Sequence, residues 1–168
     1  MSRIREAVPS DCEGIASVQV RGWQAAYRGM LPDDYLDGLD PAGRLKIWER
    51  FVNDESGRLF VAETNGRIVG FCHVMPSRDA DSDLAAEIAA IYVDPDQWRM
   101  GYGGLLCVAA CGFSVEQGFR QMTLWVLREN SIGRRFYESM GFQADGATKI
   151  EKGPGFVLDE IRYRMGLG

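Results

Sequence analysis

The stretch Trp98-Arg99-Met100-Gly101-Tyr102-Gly103-Gly104 sets three glycines just before an apolar stripe at helical spacing, Leu106, Ala109, Ala110 and Phe113. A glycine loop that opens a helix leaves several backbone N–H groups without intrahelical acceptors, at the positive end of the helix dipole. Such a loop can hold an anion, usually a phosphate or pyrophosphate, or it can simply make a tight strand-to-helix turn. It is not the dinucleotide fingerprint, which needs glycine where Leu106 stands, and no Gly-Lys-Ser/Thr triplet marks a P-loop. A second group of residues lies downstream. Asn130 and Tyr137 are seven apart, hence nearly on one helix face, whereas Phe136 sits about 100° away from Tyr137. Tyr137 can donate a proton or only pack, and Asn130 can bond a ligand amide or only cap the helix. Glu87 shares a strand face with Ala89, Ile91 and Val93. On so apolar a face a carboxylate can have its pKa raised toward that of a working base, unless it lies exposed at the strand start. His73, the one histidine, stands beside Val69 and Phe71 on another strand face and reads first as a packing residue, second as a base.

These residues need elements to position them. Ser2 to Ala7 reads as a strand, and Ser10 with Glu13 forms a capping-box pattern for a helix to about Arg28. That helix has two apolar faces, one with Ile15, Val18, Gly22 and Ala26, the other with Ala16, Val20, Trp23 and Tyr27. The second must cover something besides the main core, either a ligand cleft or another helix. Pro32 to Leu36 can start a short helix, and Asp40-Pro41 opens another with Leu45, Trp48, Phe51 and Val52 on its stripe. Leu59 to Thr64 and Arg67 to Met75 are strands joined by Asn65-Gly66, a strong hairpin signal. Pro76 to Ala86 is an acidic loop. Its Asp79, Asp81 and Asp83 have calcium-loop spacing, but Leu84 and Ala90 stand where glycine and glutamate are required, so a solvated or cation-attracting loop is expected. The strand ending at Val93, the glycine loop and a helix to about Gly118 follow. Then come a strand from Met122 to Leu127, a helix from Asn130 closed by Gly141, a strand from Phe142, a turn at Gly153-Pro154-Gly155 and a last strand from Leu158 to Met165.

The order β-α-α-β-β-β-α-β-α-β-β is α+β or mixed α/β, with one central sheet. The helix crossover predicts that the strand at 122–127 runs parallel to the strand at 87–93, and parallel neighbours admit ligands beyond their carboxyl ends. With 168 residues the chain is sized for one domain. The net charge of −5 argues against nucleic-acid binding and favours cationic substrates. No signal-peptide pattern opens the chain and no apolar run approaches a membrane span, so a cytoplasmic location without membrane association is expected. Cys12, Cys72, Cys107 and Cys111 include no Cys-x-x-Cys pair and have one histidine to join them. Free thiols and no metal site are expected.

Trp98 to Gly103 resembles the coenzyme A pyrophosphate loop Gln/Arg-x-x-Gly-x-Gly/Ala of the GCN5-related N-acetyltransferase (GNAT) superfamily, with Trp98 in place of the first Gln or Arg. Asn130 to Phe142 resembles the superfamily's Asn-x-x-Ala-x-x-Phe-Tyr-Glu-x-x-Gly-Phe segment, with Gly133 in place of the common alanine. Trp23, Tyr27, Arg28-Gly29 and Pro32 resemble the N-terminal helices of one branch, so the resemblance spans nearly the whole chain. It implies a mostly antiparallel mixed sheet of about seven strands flanked by four to five helices. It also implies transfer of an acetyl group from acetyl-CoA to an amine. Arg99, Met100, Gly101, Tyr102, Gly103 and Gly104 would hold the pyrophosphate through backbone amides. The main chain of Ile91, Tyr92 and Val93 would pair with pantetheine, and Asn130 would bond it. Tyr137 would protonate the leaving thiolate, Glu87 would act as base through water, and Trp23 and Tyr27 (with the Tyr92 ring) would wall the acceptor pocket. The expected acceptor is a small amine, with a peptide or protein amine as alternative; a non-catalytic coenzyme A sensor of the same fold is the competing class. The superfamily often forms homodimers.

Overall fold

A computed structural model describes residues 1–168. The strands are β1 (Ser2–Glu6), β2 (Arg58–Thr64), β3 (Arg67–Pro76), β4 (Ala85–Val93), β5 (Gln121–Leu127), β6 (Gln143–Gly153) and β7 (Phe156–Gly166). The helices are α1 (Cys12–Ala26), α2 (Asp33–Asp37), α3 (Ala42–Phe51), α4 (Tyr102–Glu116) and α5 (Ser131–Ser139). The strands form one sheet in the order β1-β2-β3-β4-β5-β7-β6. Every pairing is antiparallel except β4 with β5, which is parallel as the crossover requires. No helix is long and apolar enough to cross a membrane.

Local chemistry explains the turns. Asn65 and Gly66 have φ of 51° and 76°, the paired left-handed conformation of a tight hairpin. The capping box at Ser10 does not form. Residues Pro9–Asp11 make a 3-10 turn, and Asp11 takes the N–H of Val8 (2.8 Å) and a bidentate bond from Arg5 (2.7 and 3.0 Å). A buried carboxylate held by a guanidinium outcompetes an exposed hydroxyl for the helix start.

Two cores lie on opposite faces of the sheet. Cys12, Ile15, Ala16 and Val18 of α1 pack with Trp48, Val61 and Phe71 on one face. The other joins Leu106, Cys107 and Ala110 of α4 to Val74, Ile88, Met122, Leu124, Phe142 and Tyr163. His73 belongs to the first core: it is 4% exposed, its ring 4.4 Å from Phe51 and 5.8 Å from Trp48. Burial, with Arg78 nearby, pushes its pKa down to about 4, so it is a neutral packing residue.

The acidic loop before β4 is tied down by an arginine. Arg162, 6% exposed, bonds Asp145 (2.7 Å), Asp81 (2.7 and 2.8 Å) and Asp79 (3.3 Å), and Asp79 also accepts from the Trp125 indole (3.0 Å). Removing the cation would leave Asp79, 20% exposed, with only the Trp125 indole and Asp145, 16% exposed, with Arg164 (3.1 Å) as its one charged partner. Arg162→Met should therefore destabilise by about 3 kcal/mol and lower the thermal midpoint by roughly 6–12 °C, as calorimetry would read. A loss near zero would mean that these ion pairs contribute nothing net.

Candidate active site

The sheet opens at its centre. β4 pairs with β3 at seven positions, Gly70 to Pro76 against Val93 to Ala86, but with β5 at three, Ala85, Ala86 and Glu87. Beyond Glu87 the two strands part, and β4 presents an unpaired edge. The ladder phase decides which groups line it. Asp94 donates to the Val69 carbonyl (2.8 Å), so Asp94, Tyr92 and Ala90 direct their main-chain groups to β3. The main chains of Ile91 and Val93 point the other way, into the opening. Here the expectation for Tyr92 is corrected: its main chain serves β3, and only its ring is left for a ligand.

At the end of β4 the chain is fixed before the loop begins. Asp94, 4% exposed, accepts from Arg21 (3.0 Å), Arg67 (3.1 Å) and the Asp96 N–H (2.9 Å). The Trp98 indole donates to the Val93 carbonyl at 2.8 Å. That bond accounts for tryptophan at this position: it staples the loop to the strand and leaves the Val93 N–H free. Arg99 (φ 64°) and Gly101 (φ 89°) are left-handed, which curls the segment between β4 and α4. None of the six N–H groups from Arg99 to Gly104 donates to the protein; the first helical bond runs from Leu105 to the Gly101 carbonyl (3.1 Å). Six N–H groups without protein acceptors at a helix start suit an anion such as a pyrophosphate.

The two sequence motifs meet here. A Cβ on Gly103 would stand 3.2 and 3.4 Å from Phe136 ring atoms, so the glycine lets α5 close on the loop. Gly133 has a parallel reason: a Cβ there would sit 2.5 Å from Asn130 Nδ2, where alanine would push the amide out of place. Asn130 Oδ1 caps α5 through the Gly133 N–H (3.0 Å), which leaves its amide N–H₂ for a ligand. The capping reading of Asn130 is therefore realised, and a ligand bond can only be additional to it.

Tyr137 packs its ring against Phe142 and Tyr163, with centroids at 6.1 and 6.4 Å. Burial, and after it the neighbouring Tyr27 phenol, raise its pKa well above the ordinary value, and no hydrogen bond offsets them. Tyr27 bonds Tyr92 hydroxyl to hydroxyl at 2.9 Å, and the Tyr92 phenol is also raised, by burial first. Phenols from α1, β4 and α5 thus gather at the opening.

Past β4, no helix covers the face that carries Glu87, Trp125, Leu127, Glu160 and Lys149. A cavity of about 250 Å³ lies there, lined also by Trp23, Tyr27, Tyr92 and Arg78. Glu87 is 2% exposed on its floor, but it does not share the face of Ile91 and Val93 as expected. A bulge that leaves Ala89 unmatched against β3 breaks the alternation, so Ile91 and Val93 pack on the α4 side while Glu87 lines the cavity with Tyr92. Arg78 donates to it from its backbone N–H (3.2 Å), Nε (3.4 Å) and Nη2 (2.5 Å), occupying both carboxylate oxygens. Periodicity could not foresee this, since Arg78 comes from the preceding loop. The sequence reading also missed Glu160, Lys149 and Trp125. Burial, partly opposed by Lys149, raises the Glu160 carboxyl above its usual range.

Comparison with known proteins agrees with this geometry. A family model described as "Acetyltransferase (GNAT) family" matches residues 22–142. The chain is 32% identical over 169 residues to the probable N-acetyltransferase Rv2775 of Mycobacterium tuberculosis, covering 97% of this chain and 92% of that protein. Among solved structures it resembles the paia N-acetyltransferase of Thermoplasma acidophilum in complex with coenzyme A, at TM-score 0.79, 19% identity and 99% coverage of both chains. It also resembles yncA of Salmonella typhimurium with acetyl-CoA, at TM-score 0.76 and 23% identity, covering 100% of this chain and 95% of that one. At these identities the two structures bear on the fold alone.

Proposed function

The chain belongs to the acetyltransferase (GNAT) family and is an acyltransferase, and from that premise we propose that it moves an acetyl group from acetyl-CoA to a small primary amine in a ternary complex. The observation that carries this reading is the unpaired edge of β4 running into six free N–H groups. The edge suits an extended pantetheine arm and the amides suit its pyrophosphate.

Bound acetyl-CoA supplies an activated thioester, which a neutral amine can attack without a protein nucleophile. Residues 99–104 hold the pyrophosphate, and Ile91 and Val93 align the arm. Their inward N–H groups also face the negative charge that grows on the thioester oxygen. Tyr137 keeps its proton throughout the working range and so reaches the departing sulfur as a donor. Burial weakens it as an acid, so the hydrogen bond to the thiolate, ordinary pKa about 8.5, forms before full proton transfer. Glu87 takes the amine's proton through water, which requires Arg78 to share or release one carboxylate oxygen. Trp23, Tyr27 and Tyr92 give the amine's carbon skeleton an aromatic wall.

The adjoining cavity, about 270 Å³ and sharing Leu31 and Leu127, favours a second reading in which the acceptor is the amino end of a peptide. Calorimetric titration with acetyl-CoA, followed by thiol release across a panel of small amines and short peptides, tests both readings. Binding in the micromolar range with turnover on amines is expected; binding without turnover would make the protein a coenzyme A sensor, and no binding would withdraw the proposal. Glu87→Gln should lose most activity at low pH, where the acceptor is protonated and a base is needed, and least where it is already neutral. Parallel pH profiles would remove Glu87 as base.

A further inference from the structure

The face that floors the acceptor cavity already holds an alkylammonium group, and it belongs to the protein. Lys149 stands directly across from Glu160 in the β6–β7 ladder. Its Nζ lies 4.4 Å from the Trp125 ring centroid, 3.3 Å from Glu151 Oε1 and 4.0 Å from Glu160 Oε1. An aromatic face with two carboxylates beside it is what recognises a small organic cation. The ring is fixed from behind, since Asp79 accepts from its indole. The other cation near it, Arg162, is engaged by Asp79, Asp81 and Asp145. Lys149 has no such clamp: its side chain is 31% exposed, and Glu151, its nearer partner, is 55% exposed. Lys149, Glu160 and Trp125 line the same cavity as Glu87 and Tyr92, so an acceptor amine placed for transfer would extend toward them.

We propose that Lys149 fills, from within the chain, the position that a second ammonium group of the acceptor would take, and that it thereby restricts the acceptor to amines carrying a single positive charge. This rests on the transfer reaction proposed above. A monoamine needs only the site near Glu87 and leaves Lys149 on its ring. An α,ω-diamine brings its far ammonium against Lys149, where like charges repel and the carboxylates are shared. A neutral or anionic group there meets no repulsion, and an anionic one can replace the exposed Glu151 as the lysine's partner.

The test compares kcat/KM for linear diamines of three to six carbons with that for the monoamine of equal length. Lys149→Met should raise the diamine-to-monoamine ratio by about tenfold, the size of one cation–π contact with a weak ion pair. Lys149→Gln repeats the test with a polar replacement and should give the same gain. Lys149→Arg keeps the charge and should leave the ratio as in the wild type, and adding Glu160→Gln to Lys149→Met should abolish the gain. An unchanged ratio in both neutral variants, or an equal rise in Lys149→Arg, would overturn the inference. Should neither amine accept an acetyl group, the transfer reading fails by itself. The ratio is then read as diamine against monoamine affinity by calorimetry, with the same two outcomes.

Discussion

Gly101→Val should cut acetyl-CoA affinity by about 100-fold while the protein remains folded. Gly101 has φ of 89° with nothing within 4 Å of a Cβ built on it, so the obstacle is conformational, not steric crowding. A β-branched residue is a genuine outlier in that region, and the strain is relieved most easily by turning the peptide planes on either side. Those planes carry N–H groups that, in the proposed function, bind one pyrophosphate. Misdirecting two bonds to a charged group costs about 3 kcal/mol, hence the factor of about 100. Calorimetric titration measures it directly. Gly112→Ala is the control: this glycine lies on the open side of α4 with no contact within 4 Å and should bind acetyl-CoA like the wild type. Retained affinity in Gly101→Val would show that the loop is only a turn between strand and helix.

Tyr137→Phe should lower kcat by at least about tenfold and leave acetyl-CoA affinity within about twofold. The ring stays in the cluster with Phe142 and Tyr163, because its packing does not use the hydroxyl. What is lost is a donor whose proton burial keeps in place. The loss falls on the step in which sulfur becomes negative, and acceptors with good or poor amines should lose alike. The raised pKa has a kinetic consequence. Over the ordinary working range the wild type should show no fall in rate with rising pH that the mutant lacks. Such a fall would mean that Tyr137 titrates there and that its surroundings are wetter than the packing implies. Unchanged kcat in the mutant would remove Tyr137 from the chemistry and leave it as the wall of a binding site.

Much of the fold was legible because its signals are local. The hairpin at Asn65-Gly66 follows from two residues that accept left-handed backbone, and the α4 start follows from glycines ahead of an apolar stripe. The parallel pairing of β4 with β5 follows from the single helix that connects them. The capping box at Ser10 failed because a bidentate arginine from β1 claims Asp11, and that pairing is not visible in a four-residue pattern. The acidic loop is anchored by Arg162, eighty residues downstream, which pairs with Asp79 and Asp81, and a pattern of aspartates cannot show so distant a partner.

The amino-acid sequence by itself determined the glycine loop, the Asn130–Tyr137 helix face and the strand between them, because each depends on backbone conformation and periodicity within a few residues. Which main-chain groups line the opening was decided by the tertiary structure. The phase of the β3–β4 ladder turns Ile91 and Val93 inward and Tyr92 away, and the short β4–β5 pairing opens the cleft at all. Arg78 reaches Glu87 from the loop that joins β3 to β4, and Lys149 meets Trp125 and Glu160 only once β5, β7 and β6 are side by side. Periodicity says which side of a strand a residue occupies, but charge pairing across a sheet depends on register between distant segments, and register is set by the packed whole.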